Sequence, residues 1–194
     1  MRTLFALILL AAPLVQAEDA PAEKAHPLGP LVKTLQASKG APFSCKVAED
    51  RVHVEGHGEG ASPLWHDPGA ESPTTLEVQV SVQSEDGDRG AGLALEIPGG
   101  SVIFVLLPGG RVGVYECDGQ GAPKPRSVSG FDDLDSTQPH TLQVVREGRT
   151  LHFMLDGERA SSWGNDRLAQ VGKVGVVVLG DAKATLQGYA ESGE

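Results

Sequence analysis

From Pro42 onward, hydrophobic and polar positions alternate with a period of two. Val52 and Val54 alternate with His53 and Glu55, and Leu76, Val78, Val80 and Val82 alternate with Glu77, Gln79 and Ser81. Leu93, Leu95 and Ile97 repeat the pattern, followed by "SVIFVLL", "RVGVY", "TLQVV", "TLHFML" and "GKVGVVVL". Successive side chains of a strand point to opposite faces, so each run predicts a strand with one face buried. Clusters of Gly, Pro and Asp separate the runs at 56–60, 85–90, 98–100, 108–110 and 118–125. Many short strands between turn signals, with no long amphipathic helix, predict an all-β fold: an antiparallel sandwich or barrel.

The stretch "VVREGRTLHFMLDGERASSW", residues 144–163, allows a register to be derived. Two-residue turns at Glu147-Gly148 and Asp156-Gly157 would set Leu142 opposite Phe153, Val144 opposite Leu151, and Phe153 opposite Ala160. One face then carries Leu142, Val144, Leu151, Phe153, Leu155 and Ala160, which is uniformly apolar. The other carries Gln143, Val145, His152, Met154, Arg159, Ser161 and Trp163. That face is half polar, and it is either the outside of the sandwich or a shallow binding face.

The ends of the chain refine the domain plan. "MRTLFALILLAAPLVQA" has one early cation, an apolar run from Leu4 to Ala12, and small residues at a cleavage position, which is the layout of a signal peptide over residues 1–17. The expected destination is export, to the periplasm or the extracellular space. Residues 18–41, rich in Ala, Pro and charge, read as a flexible arm with room for a short helix around Leu31, Val32 and Leu35. Residues 42–194 form the sandwich domain. No second apolar run is long enough to cross a bilayer, so no membrane insertion is expected. With 26 acidic against 16 basic residues the net charge is −10, and no basic patch is present to bind nucleic acid. Cys45 and Cys117, the only two cysteines, could pair as a disulfide in an oxidising compartment or stay as buried thiols.

Four segments in order carry a family likeness: "CKVAEDRVHVEGHGEGASPLWHDPG", "TTLEVQVSVQSEDGDRGAGLALEI", "HTLQVVREGRTLHFMLDGERA" and "GKVGVVVLGDAKATLQGYAE". Together, over about residues 43–191, they resemble the concanavalin A-like lectin/glucanase superfamily, nearest its secreted 3-keto-disaccharide hydrolase-like domain. The resemblance implies a jelly-roll sandwich of two antiparallel sheets, one of them concave and often presenting sugar sites. Where relatives commonly show an Asn-Ser-Gly turn and a later arginine, this chain has "GDRGAGLALEI". Hydrolase activity is therefore not carried over with the fold.

Candidate chemistry is sparse. A glucanase of this fold needs paired carboxylates along one strand, whereas Glu77, Glu96 and Glu116 stand singly and "FDDLDS" and "SEDGD" read as loop and turn. In "RVHVEGHGEG", His53, Glu55 and His57 share one face of a strand, which is either a set of zinc ligands or the polar side of an edge strand; the second reading is preferred. No nucleophile elbow and no phosphate loop is present, so no metal and no resident cofactor is expected. There remain Gln143, His152, Arg159 and Trp163 as a candidate carbohydrate-binding set, with Trp65 apart from them. Sugars stack an apolar ring face on an indole while amides and cations bind the hydroxyls. The functional expectation is an exported, non-catalytic recognition or accessory module for carbohydrate or another surface, with a protein partner as an option and a glycan-processing hydrolase as the alternative.

Overall fold

A computed structural model describes residues 43–68, 73–84 and 87–193. Its strands are β1 (Phe43–Ala48), β2 (Arg51–Gly56), β3 (Ala61–His66), β4 (Thr75–Val82), β5 (Gly90–Ile97), β6 (Gly100–Leu107), β7 (Arg111–Asp118), β8 (Pro123–Gly130), β9 (His140–Glu147), β10 (Thr150–Leu155), β11 (Glu158–Gly164), β12 (Val174–Leu179) and β13 (Lys183–Ser192). A single 3-10 turn, Asp166–Ala169, interrupts them. The expected leader at 1–17 and arm at 18–41 lie outside the described residues. No helix among the described residues is long and apolar enough to cross a membrane.

The strands form two antiparallel sheets. Seven strands make the first, in the order β1-β2-β13-β4-β9-β10-β11, and six make the second, in the order β3-β12-β5-β6-β7-β8. The expected β-sandwich is the observed fold. Between the sheets lies one core, to which β4 gives Leu76, Val78, Val80 and Val82, β10 gives Leu151 and Phe153, and β6 gives Val102, Phe104 and Leu106. Phe104 and Phe153 meet across it at 5.4 Å between ring centroids. Leu151 and Phe153 are fully buried, as the alternation after Thr141 predicts.

The two sheets differ in how their sequences are written. Most strands of the seven-stranded sheet alternate, so its outer face is polar: His53, Thr185, Gln187, Gln79, Glu77, Gln143 and His152 point away from the core. In the six-stranded sheet β6 is a nearly unbroken apolar run, buried from Ser101 to Leu107, which marks a strand covered on both faces. Ala94, Ile103, Val105, Leu107, Tyr115, Cys117, Val177 and Leu179 make a second apolar cluster on that sheet's outer side. Its border strands carry Pro63 in β3 and Pro123 and Pro125 in β8.

That outer side is concave. Ala61 N donates to Gly121 O at 3.2 Å, joining β3 to the turn that follows β7. Four inter-strand steps separate β3 from β7, which in a flat sheet would be roughly 19 Å. The inner side is filled by the opposing sheet, so the six-stranded sheet curls outward and the turn at 118–122 leans over it.

The hairpins correct the expected register in two places. The first turn is Gly148-Arg149, one residue later than expected, so Val144 pairs with Phe153 and Leu142 with Leu155. The shift leaves every side chain on its expected face. The second turn is Asp156-Gly157 as expected, with φ of 49° and 84°, the left-handed pair that a tight hairpin requires. Beyond it, a bulge between Phe153 and Met154 sets Phe153 opposite Ser161 rather than Ala160, and Leu151 opposite Trp163. One extra residue inverts the remaining alternation, so Trp163 turns from the outer face toward the core.

The cysteines require a third correction: no disulfide joins them. Cys45, in β1, packs against the main core, whereas Cys117 belongs to the outer cluster of the opposite sheet. Facing sheets lie about 10 Å apart, and Cys117 points away from the other one, beyond disulfide reach.

Candidate functional site

The concave side holds a cleft of about 500 Å³ at one end of its apolar cluster. Trp65 forms one wall, half-buried on β3. Glu96 and Ser101, from β5 and β6, line the floor, and the turn at 118–121 brings Asp118 and Gln120 over the opposite side. Beside Trp65 in the sheet come Gly175 and then Ala94, so only small side chains separate the indole from the hollow of the face.

Local chemistry holds each polar group in place. Asp118 Oδ1 accepts the backbone N–H groups of Gln120 at 3.0 Å and Ala122 at 3.1 Å. Those two bonds hold its carboxyl below the ordinary carboxylate range. The Glu96 carboxylate accepts from Lys173 N at 3.1 Å and lies close over Gly172, where a Cβ would come within 2.7 Å of it. The cleft thus offers an aromatic face, carboxyl hydrogen-bond acceptors and an amide, with no cation among its lining groups.

Of the residues expected to bind ligand, the structure brings three to one face. Gln143, His152 and Arg159 lie on the outer side of the seven-stranded sheet. Gln143 Nε2 donates to Glu77 Oε2 at 3.1 Å, and His152 Nε2 lies 3.2 Å from Glu147 Oε2. Trp163 is not with them. The guanidinium of Arg126, on β8, sits 5.4 Å from its ring centroid. Arg126 and Arg167 both donate to the Glu116 carboxylate. Trp163, Arg126, Glu116 and Arg167 therefore close the open border between β11 and β8, and the two guanidinium groups hold the Glu116 carboxyl below its ordinary range.

The other candidates separate. His53 Nδ1 is hydrogen-bonded to Thr185 Oγ1 at 3.0 Å, Glu55 pairs with Lys183 at 3.5 Å, and His57 Nε2 lies 2.6 Å from Ser44 Oγ. Among the described residues no three His, Cys, Asp or Glu side chains converge as a metal site would require. Glu77, Glu96 and Glu116 occupy the outer side of one sheet, the outer side of the other and the border between them. The sequence reading singles out Trp65 but not Ser101, Asp118 or Gln120 as its companions. The row Glu96–Ser101–Cys117 follows from the β5–β6–β7 hairpins alone, and placing the turns at Pro98-Gly99 and at 108–110 would have supplied it. The approach of β3 to the 118–122 turn carries no local signal.

No protein-family model and no curated protein sequence matches the chain. Solved structures do. The carbohydrate-binding module CBM66 from Bacillus subtilis superposes with a TM-score of 0.59 at 17% identity, over 77% of this chain and 91% of that one. The metal-free carbohydrate recognition domain of Emp46p gives 0.56 at 15% identity, over 78% and 87%. A prokaryotic β-1,3-1,4-glucanase (lichenase) derived from a mouse hindgut metagenome gives 0.56 at 10% identity, over 81% and 90%. At these identities the likeness is one of fold: the chain, a sandwich of two antiparallel sheets, has the concanavalin A-like lectin/glucanase fold.

Proposed function

We propose that the protein is an exported carbohydrate-recognition module whose binding site is the cleft beside Trp65. The observation that carries this reading is the composition of that cleft: one half-buried indole facing Glu96, Ser101, Asp118 and Gln120 across a concave floor. An indole matches the apolar face of a pyranose, and carboxylates and an amide accept and donate to its hydroxyls. A lining with two acidic side chains and no basic one favours neutral sugars over uronates or sulfated glycans. The likeness of fold to carbohydrate-binding and recognition domains supports the same reading.

A glycosidase reading is weaker on chemistry. Its general acid must keep a proton near neutral pH, whereas Asp118 is pushed the other way and Glu96 is engaged by a backbone N–H. The experiment is a glycan array with the full chain and with Trp65→Ala. Binding to neutral glycans is expected, falling by roughly tenfold or more in the variant as the stacking surface is lost. Equal binding by the variant, or preferential binding of acidic glycans, would overturn the assignment. Turnover of a neutral disaccharide panel would restore the hydrolase alternative.

A further inference from the structure

The outer face of the seven-stranded sheet carries a second concavity, on the side of the sandwich opposite Trp65. It is a groove of about 260 Å³ across β2, β13 and β4, walled at one end by Thr137, Gln138 and Pro139. Its centre is an amide pair: Gln187 Nε2 donates to Gln79 Oε1 at 2.6 Å. Gln187 and Gln79 are direct partners across β13 and β4, which sets the two amides side by side, and a bulge with Gly188 at φ 61° follows them. Thr185, hydrogen-bonded to His53, and the buried Ser81 continue the polar floor.

The lining decides the ligand by elimination. No carboxylate lines the groove, so a cation has no counter-charge. The one arginine, Arg51, is already 3.6 Å from Asp50, so an anion gains little. Pro139 is the only apolar residue in the lining, so there is no surface for an apolar body. What remains are side chains that both donate and accept. Each glutamine presents an N–H₂ and a carbonyl in one plane, which matches two neighbouring hydroxyls of a polyol. The volume falls below that of pockets for drug-sized ligands and fits one sugar ring.

We infer that the Gln79–Gln187 groove is a second binding site, taking a single neutral, polyhydroxylated ring edge-on through hydrogen bonds alone. The inference rests on the carbohydrate reading for its ligand class but on none of the same residues. With sites on opposite faces, one molecule would bridge two glycan strands. Each site would be weak, and their combined hold on a polymer would exceed either.

The test is nuclear magnetic resonance titration of the full chain with glucose, galactose, mannose and fructose. The side-chain amides of Gln79, Gln138 and Gln187 report this groove, and the Trp65 indole N–H reports the first cleft. Saturable shifts at the glutamine amides are expected, with affinity read at the Gln138 amide weakened roughly tenfold or more in Gln79→Ala/Gln187→Ala while the indole response stays unchanged. Gln138→Ala, in a loop outside the sheet, provides a variant that leaves the strand ladder intact, and it should also weaken the response. Indole shifts without amide shifts would overturn the second site and leave the first. Amide shifts without indole shifts would do the reverse, and silence at both would remove the two together.

Discussion

Gly113 and Tyr115 show how much one hydrogen atom can decide. Both point to the concave side, and a Cβ on Gly113 would lie 2.4 Å from the Tyr115 ring, which therefore rests on the glycine. Burial pushes the Tyr115 hydroxyl up to about 12, so the ring stays neutral there. Gly113→Ala must displace a packed aromatic ring, and overpacking of this kind costs about 1–3 kcal/mol. A matching drop in the free energy of chemical denaturation checks it. The thiols give a second residue-scale outcome. Cys117 is pushed up to about 11 by burial in the outer cluster, and thiolate is the reactive form. Mass spectrometry after alkylation should find Cys117 unmodified in the native protein, and both cysteines modified, without prior reduction, once it is unfolded.

At the level of elements, the hairpins were legible because their signals are local. Asp156-Gly157 announces its own turn, and "SVIFVLL" announces a strand covered on both sides. The bulge after Phe153 was not legible, since no residue in "ERASSW" demands it. It resolves a packing choice, turning Trp163 toward the core and the border where Arg126 waits on a strand from the other sheet. That closure also carries a pH signature. Because Glu116 is held below its ordinary value of 4.5, its folded form favours the carboxylate. Its contribution is complete above about that pH and disappears as pH falls through the lowered folded value. Glu116→Gln should therefore be less stable than the parent at neutral pH, by roughly 1 kcal/mol given the exposure of the two guanidinium groups. The gap should close in strong acid. Denaturation midpoints of both proteins across pH 2–7 measure it, and a gap independent of pH would contradict the role.

For the whole molecule, alternation gave the class of fold and the inward-facing residues but not the places where distant segments meet. The candidate cleft depends on β3 lying at the far border of the six-stranded sheet and on the 118–122 turn reaching back to it. The first rests on pairing with β12, more than 100 residues along the chain, and the second on a contact between Ala61 and Gly121, made only when the sheet curls. The expected set Gln143, His152, Arg159 and Trp163 came from one hairpin read in isolation; the first three stand on the outer face of the seven-stranded sheet, and Trp163 packs toward the core. Gln79 and Gln187 sit in two unremarkable alternating runs, and only their pairing across β4 and β13 makes a groove of them.

The prolines at the borders of the curled sheet have a further consequence. An exposed edge strand offers unpaired N–H and C=O groups to any passing chain, and proline removes the donor that such an addition needs. With Pro63 on one rim and Pro123 and Pro125 on the other, neighbouring copies find no ladder to extend. A sheet this rich in valine and leucine is thereby hindered from adding strands at its borders.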